Sequence, residues 1–341
     1  MKSNDIRIKG YRNTVNRCMA AMIALIAFMT VFSLITELIG MVLFGRLDAV
    51  TYEVVTSLLD SAAYMAMFML PILVFKLFSK NAVYYPLPAR AVLPKRAIRI
   101  SLAAVGVVLP TTVINSLIVN YLVQMAGMQP DFSALETEIN GVHSIVLLFI
   151  SLAIVPALCE EFLFRGVMLK NLMPYGKTTA VFVSALLFAL MHQNFYQFFY
   201  TFIAGLVLGY VFLLTGSIWC GVLIHFINNF VSVLTDAVSY FLNEDAAAIA
   251  QYLIMSVFLF LGVLSFISLV KQSKKEKALR EGSVYGVTEE LPVFDSDLKL
   301  TEKEAVKNFF TPLAIVVIAA IVIMALLTMS LLVIPMPDAA V

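Results

Sequence analysis

Three short motifs place acids, histidines and amides at helical spacings that suit hydrolytic chemistry. The first has two consecutive glutamates and an arginine, the second a phenylalanine before a histidine, and the third a histidine before two asparagines. In chain order they are Glu160, Glu161 and Arg165; Phe188 and His192; and His225, Asn228 and Asn229. Side chains four apart share one face of an α-helix, so each motif presents its polar groups together.

The paired glutamates are predicted to have different tasks. Glu161 and Arg165 are four residues apart and can neutralise each other on one helical face. Glu160 points about 100° away around the helix and is left to face another group. We therefore expect Glu160 to act on substrate or water, and Glu161 with Arg165 to support it.

Two mechanisms of peptide-bond hydrolysis fit these side chains. In the first, Glu160 is a general base that takes a proton from water held with the help of His192, while His225 and Asn229 stabilise the oxyanion. In the second, Glu160, His192 and His225 bind one divalent metal such as zinc, which activates a water. The first needs no cofactor, and the sequence leaves both open.

The composition indicates that the elements carrying these motifs lie in a lipid bilayer. Of the 341 residues, 61% are hydrophobic and only 13% are charged, against about 25% charged in soluble domains. The net charge of +1 offers no basic face for nucleic acid, and three cysteines cannot form a disulfide framework. The sequence therefore predicts an all-α polytopic membrane protein.

Nine apolar runs are long enough to be predicted as helices, with the motifs on the fourth, fifth and seventh. They lie near 18–44, 54–78, 98–125, 143–173, 178–194, 196–214, 217–242, 247–270 and 310–334. Counting the rise per residue from the turns puts Glu160 and His192 at one level, with His225 about 10 Å shallower. Gly205 and Gly209 form a small-residue step for close helix packing.

The predicted spans divide the chain into five parts and orient it. These are an N-terminal cytoplasmic tail (1–17), N-terminal helices (18–142), a catalytic core (143–270), a cytoplasmic linker (271–309) and a last helix with a short outer tail (310–341). Nearly all lysines and arginines fall on one side of this arrangement, and Arg46 stands on the other. The positive-inside rule then predicts the N-terminus in the cytoplasm and the C-terminus outside.

The ordered motifs resemble those of the CPBP or Abi family of intramembrane proteases, whose eukaryotic relative is the CAAX prenyl endopeptidase of the endoplasmic reticulum. The stretch from Thr215 to Trp219 is also similar, and the resemblance covers roughly 155–230. It implies a proteolytic cavity open to the cytoplasmic side, a membrane-associated peptide or protein as substrate, and a bacterial cytoplasmic membrane as location. Glu160 and His192 would activate water, and His225 with Asn229 would stabilise the oxyanion.

Two other classes of function remain compatible with the sequence. A non-catalytic membrane scaffold, such as an immunity protein, would not need Glu160 or His192. A proton-coupled transporter would use buried acids, and three acids within the spans have no role in the motifs. These are Glu37, Asp60 and Asp236.

Overall fold

A computed structural model describes residues 3–79, 94–130, 139–281, 298–331 and 333–335. The helices in these ranges are α1 (Ser3–Leu43), α2 (Ala49–Leu77), α3 (Pro94–Met125), α4 (Val142–Tyr175), α5 (Lys177–Met191), α6 (Phe195–Thr215), α7 (Ile218–Phe241), α8 (Glu244–Glu281), α9 (Glu302–Phe309) and α10 (Pro312–Leu331). Two short strands, β1 (Met128–Pro130) and β2 (Val333–Pro335), pair antiparallel.

The predicted all-α polytopic fold is confirmed. Within the described ranges, eight helices are long and apolar enough to cross a membrane, and the short helix α5 occupies the place of the predicted fifth span. The predicted tail is helical from Ser3 and continuous with the first span. The charges of residues 80–93 and 131–138 contribute to the predicted orientation, and these loops lie outside the described residues. Residues 282–297 of the linker and 336–341 of the outer tail lie outside them as well.

Helix α5 is too short to cross a bilayer, so its connection to α6 lies at the depth of the other spans. Its 15 residues rise about 22 Å, against roughly 30 Å for a hydrocarbon core. Local side chains satisfy the backbone where the two helices meet: Asn194 accepts from the Tyr196 amide at 2.8 Å, and Asn115 of α3 donates to the Tyr196 carbonyl. The chain can therefore reverse its direction inside an apolar layer while the amide and the carbonyl of Tyr196 stay hydrogen-bonded.

Helix α4 is unevenly wound. The residues Phe149–Ile154 and Phe162–Leu169 form π-helix, and they flank the α-helical segment Val155–Glu161. In a π-helix the backbone bonds skip one further residue, which turns the side chains that follow to new directions. The two glutamates of the first motif therefore lie at the edge of a change in winding.

Helices α1 and α2 form an antiparallel hairpin whose two ends differ in chemistry. At one end Arg17 of α1 donates to the Ser79 hydroxyl at 2.9 Å, just after α2 ends. At the other, Asp48 caps α2, and hydrogen bonds from the hydroxyl and amide of Thr51 lower the pKa of its carboxyl. The end with Arg17 is the basic side of the molecule, and the end with Asp48 is the opposite side.

Residues distant in sequence meet around the turn between α4 and α5, and we call this group the basic-side cluster. The Thr311 hydroxyl donates to Asn16 at 2.6 Å, joining the start of α10 to α1. The Leu300 amide donates to the Tyr175 carbonyl at 2.9 Å. The Tyr11 and Tyr175 rings lie 5.5 Å apart. The turn is thus held from two sides by segments that flank the core in sequence.

The predicted small-residue step joins α6 to α5. A Cβ atom placed at Gly205 would lie 2.9 Å from the Ala185 backbone, and one at Gly209 would lie 2.9 Å from a Val181 methyl group. Only glycine permits this approach. Gly205 and Gly209 therefore allow α6 to pack closely against α5, the helix that ends just before His192.

Candidate active site

The centre of the site is a buried charge network between α4 and α7. Arg165 donates to Oε1 of Glu161 at 2.8 Å, and both side chains are almost fully buried. Nδ1 of His225 lies 3.2 Å from the same oxygen. Because a carboxylate only accepts, Nδ1 carries the proton and donates. Glu161 therefore neutralises Arg165, as the spacing predicts, and it also fixes the orientation of His225.

Glu160 points to another set of partners, in agreement with its predicted direction. The Tyr64 hydroxyl of α2 donates to Oε1 of Glu160. The second oxygen, Oε2, is buried, and among the described residues it has no hydrogen-bond partner. Nε2 of His225 lies 3.9 Å from Oε2. One carboxylate oxygen is thus held in place, and the other is left to accept a proton.

His192 is positioned by its own helix. Its Nδ1 lies 2.9 Å from the Phe188 carbonyl, and a carbonyl only accepts, so Nδ1 donates. This bond satisfies one of the carbonyls left over at the C-terminal end of α5. Neutral His192 therefore keeps the lone pair on Nε2, which is the atom available to a water or another ligand.

Phe188 packs against three polar members of the site. The Arg165 guanidinium lies 4.4 Å from the centre of its ring. The rings of His192 and His225 meet it edge-on, at 5.1 and 5.9 Å between ring centres. The predicted pairing of Phe188 with His192 is thus part of a larger contact, in which the Phe188 ring packs against both imidazole rings.

The two asparagines of the third motif bond to each other and to α4. Nδ2 of Asn228 donates to Oδ1 of Asn229 at 3.3 Å, and Nδ2 of Asn229 donates to the Leu152 carbonyl at 3.0 Å. Leu152 belongs to the first π-helical stretch of α4. Both asparagines line the same cavity as Glu160, and Nδ2 of Asn229 has a second N–H beyond its bond to α4.

The predicted offset of His225 from Glu160 is wrong. Counting residues from the turns assumed that α7 starts level with the turn between α4 and α5, but it starts deeper. The Trp219 ring, in the first turn of α7, packs edge-on against Phe162 at 5.9 Å. A Cβ atom at Gly221 would lie 2.6 Å from Oε2 of Glu161. His225 therefore reaches the level of the glutamates.

Tyr64 is a site residue that the motifs do not reveal. It lies 96 residues before Glu160, on a helix outside the motif-bearing region. A weak signal is present in α2, where polar residues recur every four positions. They are Tyr52, Thr56, Asp60 and Tyr64. This pattern predicts a polar face on α2, although not the partner of that face.

A cavity of about 700 Å³ connects these groups, and all four predicted catalytic side chains line it. Its lining on α7 runs from Ile224 to Thr235, and α2 contributes Asp60, Ser61 and Tyr64. Thr235 lies farther along α7 than His225, toward the side that carries Asp48. The lining on α7 therefore extends from the glutamates away from the basic side, while the lining on α6 extends from Gln197 to Leu208 toward it. The opening toward the cytoplasmic side that the resemblance implies stays a prediction.

A metal centre would need its ligand side chains close together. Glu160, His192 and His225 line one cavity. Across the described ranges, however, there is no group of three or more His, Cys, Asp or Glu side chains close enough together to hold a metal ion. The residues as placed do not form a ready metal centre.

Residues 142–231 match the family model described as type II CAAX prenyl endopeptidase Rce1-like. The matched region begins with α4, ends within α7 and contains all three motifs, and it is about a quarter of the chain. The predicted resemblance to the CPBP or Abi proteases is thereby confirmed. No curated protein and no solved structure matches the chain.

Proposed function

We propose that this integral membrane protein is an intramembrane endopeptidase that hydrolyses peptide bonds with a glutamate-activated water. The observation that carries the proposal is that the two carboxylate oxygens of Glu160 have different surroundings. One of its oxygens is held by Tyr64, and the other is buried, unpartnered among the described residues and turned toward an imidazole. A general base needs this combination of fixed position and free acceptor.

Water activation uses Glu160 and His192 together. A water in the cavity donates one hydrogen to Oε2 of Glu160 and the other to the lone pair on Nε2 of His192. Its oxygen then points at a substrate carbonyl while Glu160 removes the proton. The proton later passes to the leaving amine, so Glu160 acts first as base and then as acid.

The place of His225 between the two glutamates supports a donor role. Its Nδ1 is held by Glu161, and its Nε2 lies 3.9 Å from Oε2 of Glu160, on the cavity. An N–H at Nε2 would be directed at a substrate carbonyl in the cavity. That N–H and an amide N–H of Asn229 would stabilise the oxyanion, and Asn228 would support Asn229.

The cavity walls favour an apolar, membrane-associated peptide as substrate. One wall carries aliphatic side chains from α3, α6 and α7, including Val108, Leu208 and Val231. Such a wall suits apolar side chains or a lipid-modified segment, while the polar side chains on α2 face water. The proposed location is a bacterial cytoplasmic membrane with the N-terminus in the cytoplasm, supported by the one-sided charge distribution.

The test compares protein termini in cells that carry the wild type or Glu160→Gln at matched expression. Glutamine keeps the size of the side chain and removes the base. Glu244→Gln is the matched control, because Glu244 is an exposed acid at the start of α8. We expect a set of new termini that disappears with Glu160→Gln and persists with Glu244→Gln. Identical termini in all three strains would refute the proteolytic function.

The Glu160→Gln strain and two further variants, Asp60→Asn and Asp236→Asn, distinguish the two alternatives. A scaffold or immunity protein would keep its phenotype with Glu160→Gln as long as the variant reaches the membrane. A proton-coupled transporter would lose flux with Asp60→Asn or Asp236→Asn while the termini stay unchanged. Only an endopeptidase couples the loss of termini to Glu160.

A further inference from the structure

A second cavity, of about 700 Å³, lies between α1 and α2 and shares a residue with the active-site cavity. Its polar lining comes from both helices: Ser33, Thr36 and Glu37 on α1, and Tyr52, Thr56 and Asp60 on α2. Asp60 also lines the cavity that holds Glu160. One carboxylate thus lines both spaces. We call the space between α1 and α2 the α1–α2 cleft.

The cleft begins near the end of the hairpin that carries Asp48. A Cβ atom at Gly40 would lie 3.4 Å from the Tyr52 hydroxyl and 4.0 Å from the Thr56 methyl group, so these residues face each other across the two helices. Gly40 is close to the end of α1, and Tyr52 lies in the first turn of α2. The cleft therefore starts on the side opposite the basic one.

From there a polar stripe on α2 leads to the catalytic glutamate. Tyr52, Thr56, Asp60 and Tyr64 follow one another at intervals of four, which stacks them along one helical face. The last of them donates to Glu160. The stripe stops there, because the next position is Phe68, whose buried ring stacks on Tyr64 at 4.9 Å.

The acids of the cleft require water. Glu37 and Asp60 are exposed, yet each lies within an apolar span. An ionised carboxylate at that depth is tolerated where it faces a water-filled space and is strongly disfavoured in contact with lipid. The two acids line the cleft from its opposite walls, so hydration of the cleft accounts for both.

We propose that the α1–α2 cleft is a water-filled inlet that supplies the hydrolytic water to Glu160 from the side carrying Asp48. This rests on the proposed endopeptidase function. Each cleaved bond consumes one water, whose hydroxyl joins the carbonyl carbon and whose remaining hydrogen joins the amine. A substrate seated against the apolar wall closes the cavity on that side, and the inlet reaches Glu160 from the polar wall of α2. Asp60 acts as a positioning residue where the two spaces join.

The test begins with the reactivity of an introduced thiol toward a charged, membrane-impermeant methanethiosulfonate reagent. Thr56→Cys lies in the cleft. Leu58→Cys is the matched control, because Leu58 is 53% exposed on the same helix but does not line the cleft. The wild type gives the background, since its three cysteines are buried. We expect labelling of Thr56→Cys in membranes from the side carrying Asp48, with Leu58→Cys near background. Equal, low labelling of both would overturn the hydrated cleft.

The second measurement asks whether the cleft supplies the reaction. The reporter is a fluorogenic peptide built on a cleavage sequence found in the comparison of Glu160→Gln with wild type. We expect labelling of Thr56→Cys to lower kcat roughly tenfold with KM unchanged, while unlabelled Thr56→Cys keeps wild-type activity. An unchanged kcat after complete labelling would overturn the inlet. If unlabelled Thr56→Cys is itself inactive, Ser33→Cys on the opposite wall takes its place.

The two proposals fail in different ways. If Glu160→Gln leaves all termini unchanged, the endopeptidase function is refuted whatever the labelling shows. If Glu160→Gln abolishes cleavage but the cleft stays unlabelled, or its labelling leaves kcat unchanged, the enzyme stands and the inlet is refuted.

Discussion

Replacing Gly221 by alanine tests how firmly the buried carboxylate of Glu161 holds the site together. Within a helix this change ordinarily adds about 1 kcal/mol of stability, because alanine is the better helix former. Here the new methyl group would lie 2.6 Å from Oε2 of Glu161, about 0.8 Å inside ordinary van der Waals contact. The sign of the effect then depends on whether Glu161 can move.

The structure indicates that Glu161 cannot move without loss. Its Oε1 is bonded to Arg165 at 2.8 Å and to Nδ1 of His225 at 3.2 Å. A shift of about 0.8 Å would break one of these bonds, since hydrogen bonding fades beyond about 3.5 Å. The lost hydrogen bond to a charged group and the overpacking cost more than the stability that alanine adds to the helix. We therefore expect the free energy of unfolding to fall by about 2–5 kcal/mol. Because His225 loses its orientation, activity should fall about 10–100-fold.

The assay combines thermal unfolding of the detergent-purified protein with cleavage of the reporter peptide. Gly40→Ala is the matched control, because its Cβ atom would meet its nearest atoms at 3.4 and 4.0 Å, within ordinary contact. Gly40→Ala should unfold at or above the wild-type temperature, and Gly221→Ala below it. A Gly221→Ala protein as stable and as active as wild type would refute the rigid coupling of Glu161 to His225.

Three other perturbations test the rest of the site. Arg165→Met should destabilise the fold by about 3–5 kcal/mol, because it leaves Glu161 as an unpaired buried charge. The double variant Arg165→Met/Glu161→Leu should regain the folded yield of the wild type but not its activity. Size-exclusion chromatography would measure the folded yield of both variants. Tyr64→Phe should lower kcat about tenfold with KM unchanged, because Glu160 loses the donor that holds it, and wild-type kcat would contradict this. Cleavage by the wild type should persist in excess chelator, whereas a loss restored by zinc would establish the metal mechanism.

The membrane fold and the contacts within each motif were predictable from the sequence. Long apolar runs set the spans, because a chain in lipid has to satisfy its backbone bonds within helices. Spacings of four residues put Glu161 beside Arg165 and Phe188 beside His192, and the structure shows both contacts. These are local relations, which helical geometry alone determines. The catalytic roles remain predictions.

The relations that the sequence could not provide are those between helices. Tyr64 reaches Glu160 from a helix 96 residues earlier, and no periodicity specifies that pairing. The π-helical stretches of α4 change the direction of the side chains after them, whereas counting residues assumes a regular α-helix throughout. The level of His225 depends on where α7 begins relative to Phe162, and this is decided by tertiary packing.

The basic-side cluster imposes an order on the maturation of the protein during its synthesis. The turn that joins α4 to α5 rests on Tyr11 of α1, which is made early, and on Leu300, which follows all the helices of the site. While the ribosome is still producing α8, the hairpin that carries Glu160 and His192 therefore lacks the hydrogen bond from Leu300 to its turn. Synthesis of the segment that contains Leu300 completes this support, so the proposed hydrolytic activity would begin only near the end of translation.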